Sequence, residues 1–293
     1  MAQWGTFAGV TGVVLLLLLV LSHLTTAAFE ESPDPTSDDQ HSSAVSRSDG
    51  DSSTHDLERS PLETECVSTE AGTADPDPRD HRGSQTRPPV ESLSTAELLA
   101  NVALSQGLFA GVLIGAAIYT GIPAEALGIV VSTDYLVTGL TVGVAVGVAL
   151  YVANELGAVS AKRFGIDHNE ELREMLAPES AGGWLVLLVV VLPIIALFEE
   201  LLFRAALIGV LSAGFEISPW VLAVGSSIAF GFGHGIQGTA GVLVTGLLGF
   251  VLAAVFIYTG SLLVVVVAHY LINALEFVVH EGLGLEWAET GGG

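Results

Sequence analysis

The sequence predicts an all-α fold: a multi-pass transmembrane bundle of about six core helices, with an extra apolar helix at the N-terminus and a disordered acidic linker between the two. Three observations carry that prediction. The 293-residue chain is 51% hydrophobic and only 14% charged, with a mean hydropathy of +0.63, far from the balance of a water-soluble domain. Its apolar residues gather in runs near the roughly 20 residues that cross the hydrocarbon of a bilayer. In that medium backbone N–H and C=O groups have no water to bond, so each run must close its hydrogen bonds within itself, as a helix. Val and Ile are abundant and would favour strands in water; run length and the membrane argument override that preference.

The first run covers residues 8–28 and is centred on the stretch from Val13 to Val20. Its small-residue end, Thr26-Ala27-Ala28, resembles that of a signal peptide, but no Lys or Arg precedes it, so the usual positive n-region is missing. Residues 1–28 therefore read as a membrane anchor or an uncleaved signal. Residues 29–95 hold sixteen of the 32 acidic residues and five arginines among Ser, Thr and Pro. Such a segment cannot bury enough apolar surface to offset its ordering entropy and is predicted to be a disordered spacer. Cys66, the single cysteine, lies in it; alone, it can form neither an internal disulfide nor a cysteine-based metal site, and reads as a solvated thiol.

Residues 96–285 alternate apolar runs with short polar loops. The candidate spans are 103–122, 135–156, 182–203, 219–235, 238–258 and 261–280. Glycines recur every fourth residue at Gly107, Gly111 and Gly115, and again at Gly139, Gly143 and Gly147, a spacing that puts small residues on one helix face where a neighbour can pack closely. Lys162, Arg163 and Arg173 lie in the loop before the third core span, and the positive-inside tendency puts residues 157–181 in the cytoplasm of a protein of the cell membrane. With 9 Lys+Arg against 32 Asp+Glu, the chain is a poor match for nucleic acid. The same acidic, lysine-poor balance suggests a solvent of high ionic strength, as in halophiles.

The chemistry is concentrated in three of the spans. Glu199 and Glu200 stand side by side in the apolar run from Pro193 to Arg204, and ionisable groups inside a membrane helix are costly enough to mark working sites. Glu200 and Arg204 are four apart, one above the other on a single face, with the glutamate first, the favourable order for an ion pair. Glu199 is turned about 100° away; it has no basic partner on its own helix and is the carboxylate left to serve as general base. His234 follows among close glycines, with Phe230 one turn earlier. His269 and Asn273 share a face of the last span, where Asn273 could donate to an oxyanion. Each piece alone has a bland alternative: a hydrated interfacial glutamate pair, a satisfied core histidine, a hydrogen-bonded pair that glues helices. Converging, a carboxylate, two imidazoles and an amide could deprotonate a water. Glu199, His234 and His269 could equally ligate a divalent metal, since two histidines and a carboxylate are a common zinc set. The spacing leaves both options open.

The series Glu199-Glu200-x-x-x-Arg204, Phe230-x-x-x-His234, His269-x-x-x-Asn273, in this order on successive apolar segments, resembles the CPBP family of CAAX proteases and bacteriocin-processing proteins, also called the Abi family, whose eukaryotic relatives are the type II CAAX prenyl proteases. The resemblance spans about residues 180–280. It implies an intramembrane endopeptidase, either a glutamate-dependent or a zinc-dependent metalloendopeptidase. By that resemblance Glu199 activates the attacking water with His234, Glu200 and Arg204 brace the site with Phe230 beside them, and His269 and Asn273 stabilise the oxyanion or hold the water. The implied partners are the lipid bilayer and a membrane-associated protein or peptide substrate, with a prenylated C-terminus as the archetype. One departure is Ala205, where many members carry Gly; Ala is the smallest replacement, so close packing is expected to be mildly perturbed and activity retained. His280 and Glu281 form no metal-binding HExxH motif and read as a solvated helix end. Two other function classes use the same residues: a non-catalytic membrane adaptor or immunity protein of this fold, and a proton or cation transporter. A complete set of buried polar residues argues against the first, and the lack of an internal repeat against the second.

Overall fold

The structure, a computed structural model, describes residues 1–30, 94–163 and 171–285. The predicted linker, save its edges, lies outside the described residues together with Cys66, and so do the side chains of Lys162 and Arg163, on which the expected orientation mainly rested. The described residues are helical, with no strand among them. Among the described residues, with short 3₁₀ segments at Ala124–Leu127 and Gly235–Gln237 between them, eight helices run in chain order. These are α1 (Trp4–Glu30), α2 (Thr95–Thr120), α3 (Thr133–Arg163), the short α4 (Glu171–Leu176), α5 (Ala181–Phe215), α6 (Pro219–Gly233), α7 (Gly238–Thr259) and α8 (Leu262–Gly282). Six of the spans they form are long and apolar enough to cross a membrane, α1 among them; α6 is a shorter apolar helix. The chain is thus an integral membrane protein by composition and length, and its exposed Leu, Val and Ile side chains, such as Leu108, Val112, Leu140 and Leu247, face the lipid.

Local chemistry sets the helix ends. Ser94 and Glu97 form a reciprocal capping box at the start of α2: the Ser94 hydroxyl accepts from the Glu97 amide at 3.3 Å, and the Glu97 carboxylate accepts from the Ser94 amide at 2.8 Å. α2 ends at Gly121 in the left-handed region, φ 66°. Pro219 opens α6, where a missing N–H costs nothing.

α5 is the central element. Half of its most apolar window is buried, against 17% for α1 and α2. The sequence cut this span at residue 203, before Arg204; the helix runs on to Phe215, because pairing with Glu200 lets the arginine stay in the core. α5 is not a uniform α-helix. Pro193 has no N–H to offer the carbonyl of residue 189, and the ladder shifts to i→i+5 bonding over Leu187–Val191, where the Leu192 amide reaches back to the Leu187 carbonyl. A second wide turn spans Leu201–Val210 and contains Arg204. Within it the Phe203 carbonyl accepts from the Ser226 hydroxyl of α6 at 2.7 Å. Ala205 is fully buried in this stretch.

The two glycine series part ways. A Cβ at Gly143 would stand 2.7 Å from Cβ of Val267 and 2.9 Å from the Val264 carbonyl, and one at Gly147 would stand 3.0 Å from the Ala268 carbonyl, so α3 lies directly on α8 along this face. Gly111 and Gly115 on α2 meet nothing within 4 Å, and Gly107 only the tip of Ile194. Gly143→Val is therefore expected to destabilise the protein by about 1–3 kcal/mol through overpacking, read as an earlier thermal unfolding midpoint in detergent. Gly111→Val is expected to stay within about 0.5 kcal/mol of the parent in the same melt.

Candidate active site

The motif residues of α5, the α6–α7 turn and α8 meet at one cavity of about 510 Å³, lined by Glu199, Phe230, His234, His269 and Asn273. Behind its wall lies a dry ion pair. Glu200 is 0% exposed and Arg204 1%. One guanidinium nitrogen donates to Glu200 Oε1 at 2.7 Å and the other to the Gly249 carbonyl of α7 at 2.9 Å. The guanidinium also sits 4.6 Å above the Phe230 ring, within cation–π range. Gly249 permits this, since a Cβ there would stand 2.9 Å from that ring.

Spacing along α8 did not reveal the role of His269 in this pair. Its Nδ1 lies 2.7 Å from the same oxygen, Glu200 Oε1. A carboxylate accepts, so Nδ1 carries the proton, and in the neutral ring Nε2 is a bare acceptor. That Nε2 lies 3.5 Å from Glu199 Oε2. His234 is fixed the same way. It follows the last turn of α6, its Nδ1 donates to the Phe230 carbonyl at 2.8 Å, and its Nε2 faces Glu199 Oε1 at 4.0 Å. Phe230 packs between the two imidazoles, with ring centres 4.7 Å from His234 and 6.1 Å from His269. Both carboxylate oxygens of Glu199 thus face an imidazole nitrogen, and Glu199 Oε2 is buried without a hydrogen-bond partner. Asn273 lines the cavity one helical turn beyond His269.

The donor types, two imidazole nitrogens and a carboxylate, are those a divalent metal takes, and the bonds that hold each Nδ1 are of the kind that orient metal-ligating histidines, but the three residues do not bring their ligand atoms all within 4.8 Å of one another. A water with two protons to donate suits the same set.

The cavity has a second polar end that the sequence reading missed. Glu155 of α3 is 4% exposed and lies 2.7 Å from His280 Nε2 of α8; Glu276, one turn before His280, is 3.6 Å from the same nitrogen. Asn154 donates to Glu276 at 2.6 Å, and Arg173 of α4 pairs with Glu276 at 3.4 Å and Glu281 at 2.8 Å. His280 and Glu281 stand at the end of α8, which stops at Gly282, but they are not solvated as expected: both are partly buried and paired, His280 with Glu155 of α3 and Glu281 with Arg173 of α4. The missed signal was Glu155, an acid inside an apolar span. Among the described residues, Glu155, Glu276 and His280 are the group whose ligand atoms all lie within 4.8 Å of one another.

Glu200→Gln leaves the buried Arg204 without its counter-charge. The expected loss is about 3–5 kcal/mol of stability, seen as a lower unfolding midpoint; a melt that matches the parent would mean the pair is hydrated.

No curated protein and no solved structure matches the chain significantly. Residues 181–275, from the start of α5 to the residue before Glu276 and so across all three motifs, match the family model described as type II CAAX prenyl endopeptidase Rce1-like. The match spans about a third of the chain and all three motifs, and it supports the resemblance of this segment to the CPBP family of CAAX proteases.

Proposed function

We propose that this protein is an intramembrane endopeptidase, with residues 96–285 as its peptidase domain and residues 1–28 as its membrane-anchored N-terminus. The observation that carries the proposal is the meeting of acceptors around Glu199. With each Nδ1 bonded elsewhere, two imidazole Nε2 atoms face the two Glu199 oxygens, at 3.5 Å from His269 and 4.0 Å from His234. The group that satisfies such a set is one that donates twice or carries positive charge, and a water poised for attack does the former.

In this reading Glu199 takes a proton from the water as it attacks the scissile carbonyl, and His234 orients it through Nε2. Asn273 donates to the oxyanion from its side-chain amide. His269 donates as well once it carries a proton at Nε2, and Glu200 beside its Nδ1 offsets the charge. Glu200 and Arg204 hold these groups from behind the cavity wall, and Phe230 packs against both imidazoles. Glu199, His234 and His269 are the residues that would hold a divalent ion such as zinc, which would supply Lewis-acid polarisation of the scissile carbonyl. The substrate is a membrane-associated protein or peptide, of which a prenylated C-terminal segment is the prime candidate, cleaved at the cell membrane. The excess of acidic residues fits an enzyme working at high ionic strength.

The test is cleavage of fluorogenic peptides, one prenylated and one transmembrane, by the full chain in detergent. Glu199→Gln and His234→Ala are each expected to lower turnover by about 10²–10⁴-fold. Turnover equal to the parent in both variants would remove the peptidase reading in favour of an adaptor or a transporter. Metal analysis with a chelator control decides between the ion and the directly held water.

A further inference from the structure

α1 reaches the site from outside the motif series. The Ser22 hydroxyl donates to the Gly233 carbonyl at 2.8 Å and lies 3.5 Å from the Phe232 carbonyl. These are last-turn carbonyls of α6, where a helix runs out of its own amide donors, and the next residue is His234. Leu18 and Thr26, one turn before and one turn after Ser22, bracket the same spot. A Cβ at Gly233 would touch Leu18 at 3.4 Å, and one at Gly235 would touch the Thr26 hydroxyl at 3.1 Å. One face of α1 therefore lies against the backbone on both sides of His234.

That backbone needs an external hold. His234 has left the helix, with φ −107° and ψ 29°, and a single-turn 3₁₀ segment, Gly235–Gln237, follows it. The His234 ring has one bond of its own, to the Phe230 carbonyl, and its side chain is 26% exposed. The direction in which Nε2 faces Glu199 thus depends on the peptide plane that joins Gly233 to His234, and Ser22 grips that plane by its oxygen.

We propose that Ser22 is a positioning residue for His234, and that α1 is a working wall of the catalytic centre as well as an anchor. The proposal rests on the peptidase reading, in which His234 orients the attacking water. Ser22 touches no substrate; it acts through the peptide ahead of the imidazole. Its loss lets the ring swing while α1 stays packed by Phe7 and Val14, which are 1% and 3% exposed.

The experiment compares the full-length parent with Ser22→Ala, Ser22→Thr and His234→Ala in detergent. Three readouts are taken: peptide cleavage, thermal unfolding, and the rate at which diethyl pyrocarbonate modifies His234, followed by mass spectrometry. Misplacing a reacting group by about 1 Å can cost about 10²-fold, and loss of this one hold is expected to lower kcat about tenfold. KM and the unfolding midpoint are expected to stay at parent values, with modification of His234 several times faster. Ser22→Thr keeps the hydroxyl and is expected to restore both kcat and the modification rate. A Ser22→Ala protein with parental kcat and parental His234 reactivity overturns the proposal, as does a kcat loss that tracks a lowered unfolding midpoint and is not rescued by Thr. The modification rate requires no turnover. A parental kcat in His234→Ala would therefore sink the peptidase reading as a separate result, while His234 reactivity still reports on Ser22.

Discussion

Two polar groups at the centre of this bundle, Arg204 and His269, depend on one carboxylate oxygen. Glu200 Oε1 takes a hydrogen bond from Arg204 and another from His269, both at 2.7 Å, at a place that is 0% exposed. In a medium of low dielectric neither charge could stay alone. Arg204 can sit in α5 because Glu200 is four residues before it, and His269 takes its orientation because the same oxygen accepts its Nδ1 proton. That orientation presents the bare Nε2 to Glu199. The pair thus links α5 to α8, and through the Gly249 carbonyl to α7. It turns two costly groups into a fixed frame for a third, Glu199, which stays open to the cavity.

The cavity then divides its labour by location. At one end, Glu199, His234 and His269 face one another with acceptors that want protons or a cation. At the other, Glu155, Glu276, Glu281, His280, Asn154 and Arg173 satisfy one another through close pairs. A network whose members are already paired is a scaffold that ties α3, α4 and α8 together. A carboxylate whose neighbours are acceptors is a site that asks for a reactant. The contrast in pairing, more than the count of polar residues, separates the chemical end from the structural one.

Much of this was legible in sequence, and the limits have physical causes. Periodicity of four located the Glu200–Arg204 pair, because one helix carries both partners and helical geometry fixes their separation. The same rule gave Gly139, Gly143 and Gly147 a shared face, and it gave Gly107, Gly111 and Gly115 one too. Only the first series is closely covered by a neighbouring helix along its length, since a small-residue face states that close approach is allowed and says nothing of what approaches. The bond from His269 to Glu200 joins residues 69 apart, and no local rule reports such a distance. Span ends suffered for a related reason: Arg204 looked like an exit from the apolar medium, yet Glu200 pairs it and the helix continues, while His280 and Glu281 do stand in the last turn of α8 but are paired there by Glu155 and Arg173.

α1 shows the same limit at its largest. Its sequence offers an apolar run with a few hydroxyls, and Ser22 or Thr26 in such a run is unremarkable, since either can bond back to its own helix, as Thr26 does to the Ser22 carbonyl at 3.0 Å. What gives Ser22 a different part is a carbonyl 211 residues away that ends a helix beside His234. A helix that stops short of crossing, as α6 does, leaves last-turn carbonyls inside the bundle, and in lipid these must be met by protein. The reactive turn and the helix that steadies it are therefore consequences of a single constraint: to place an imidazole on irregular backbone in a membrane, some other element has to supply the hydrogen-bond donors that water would supply elsewhere.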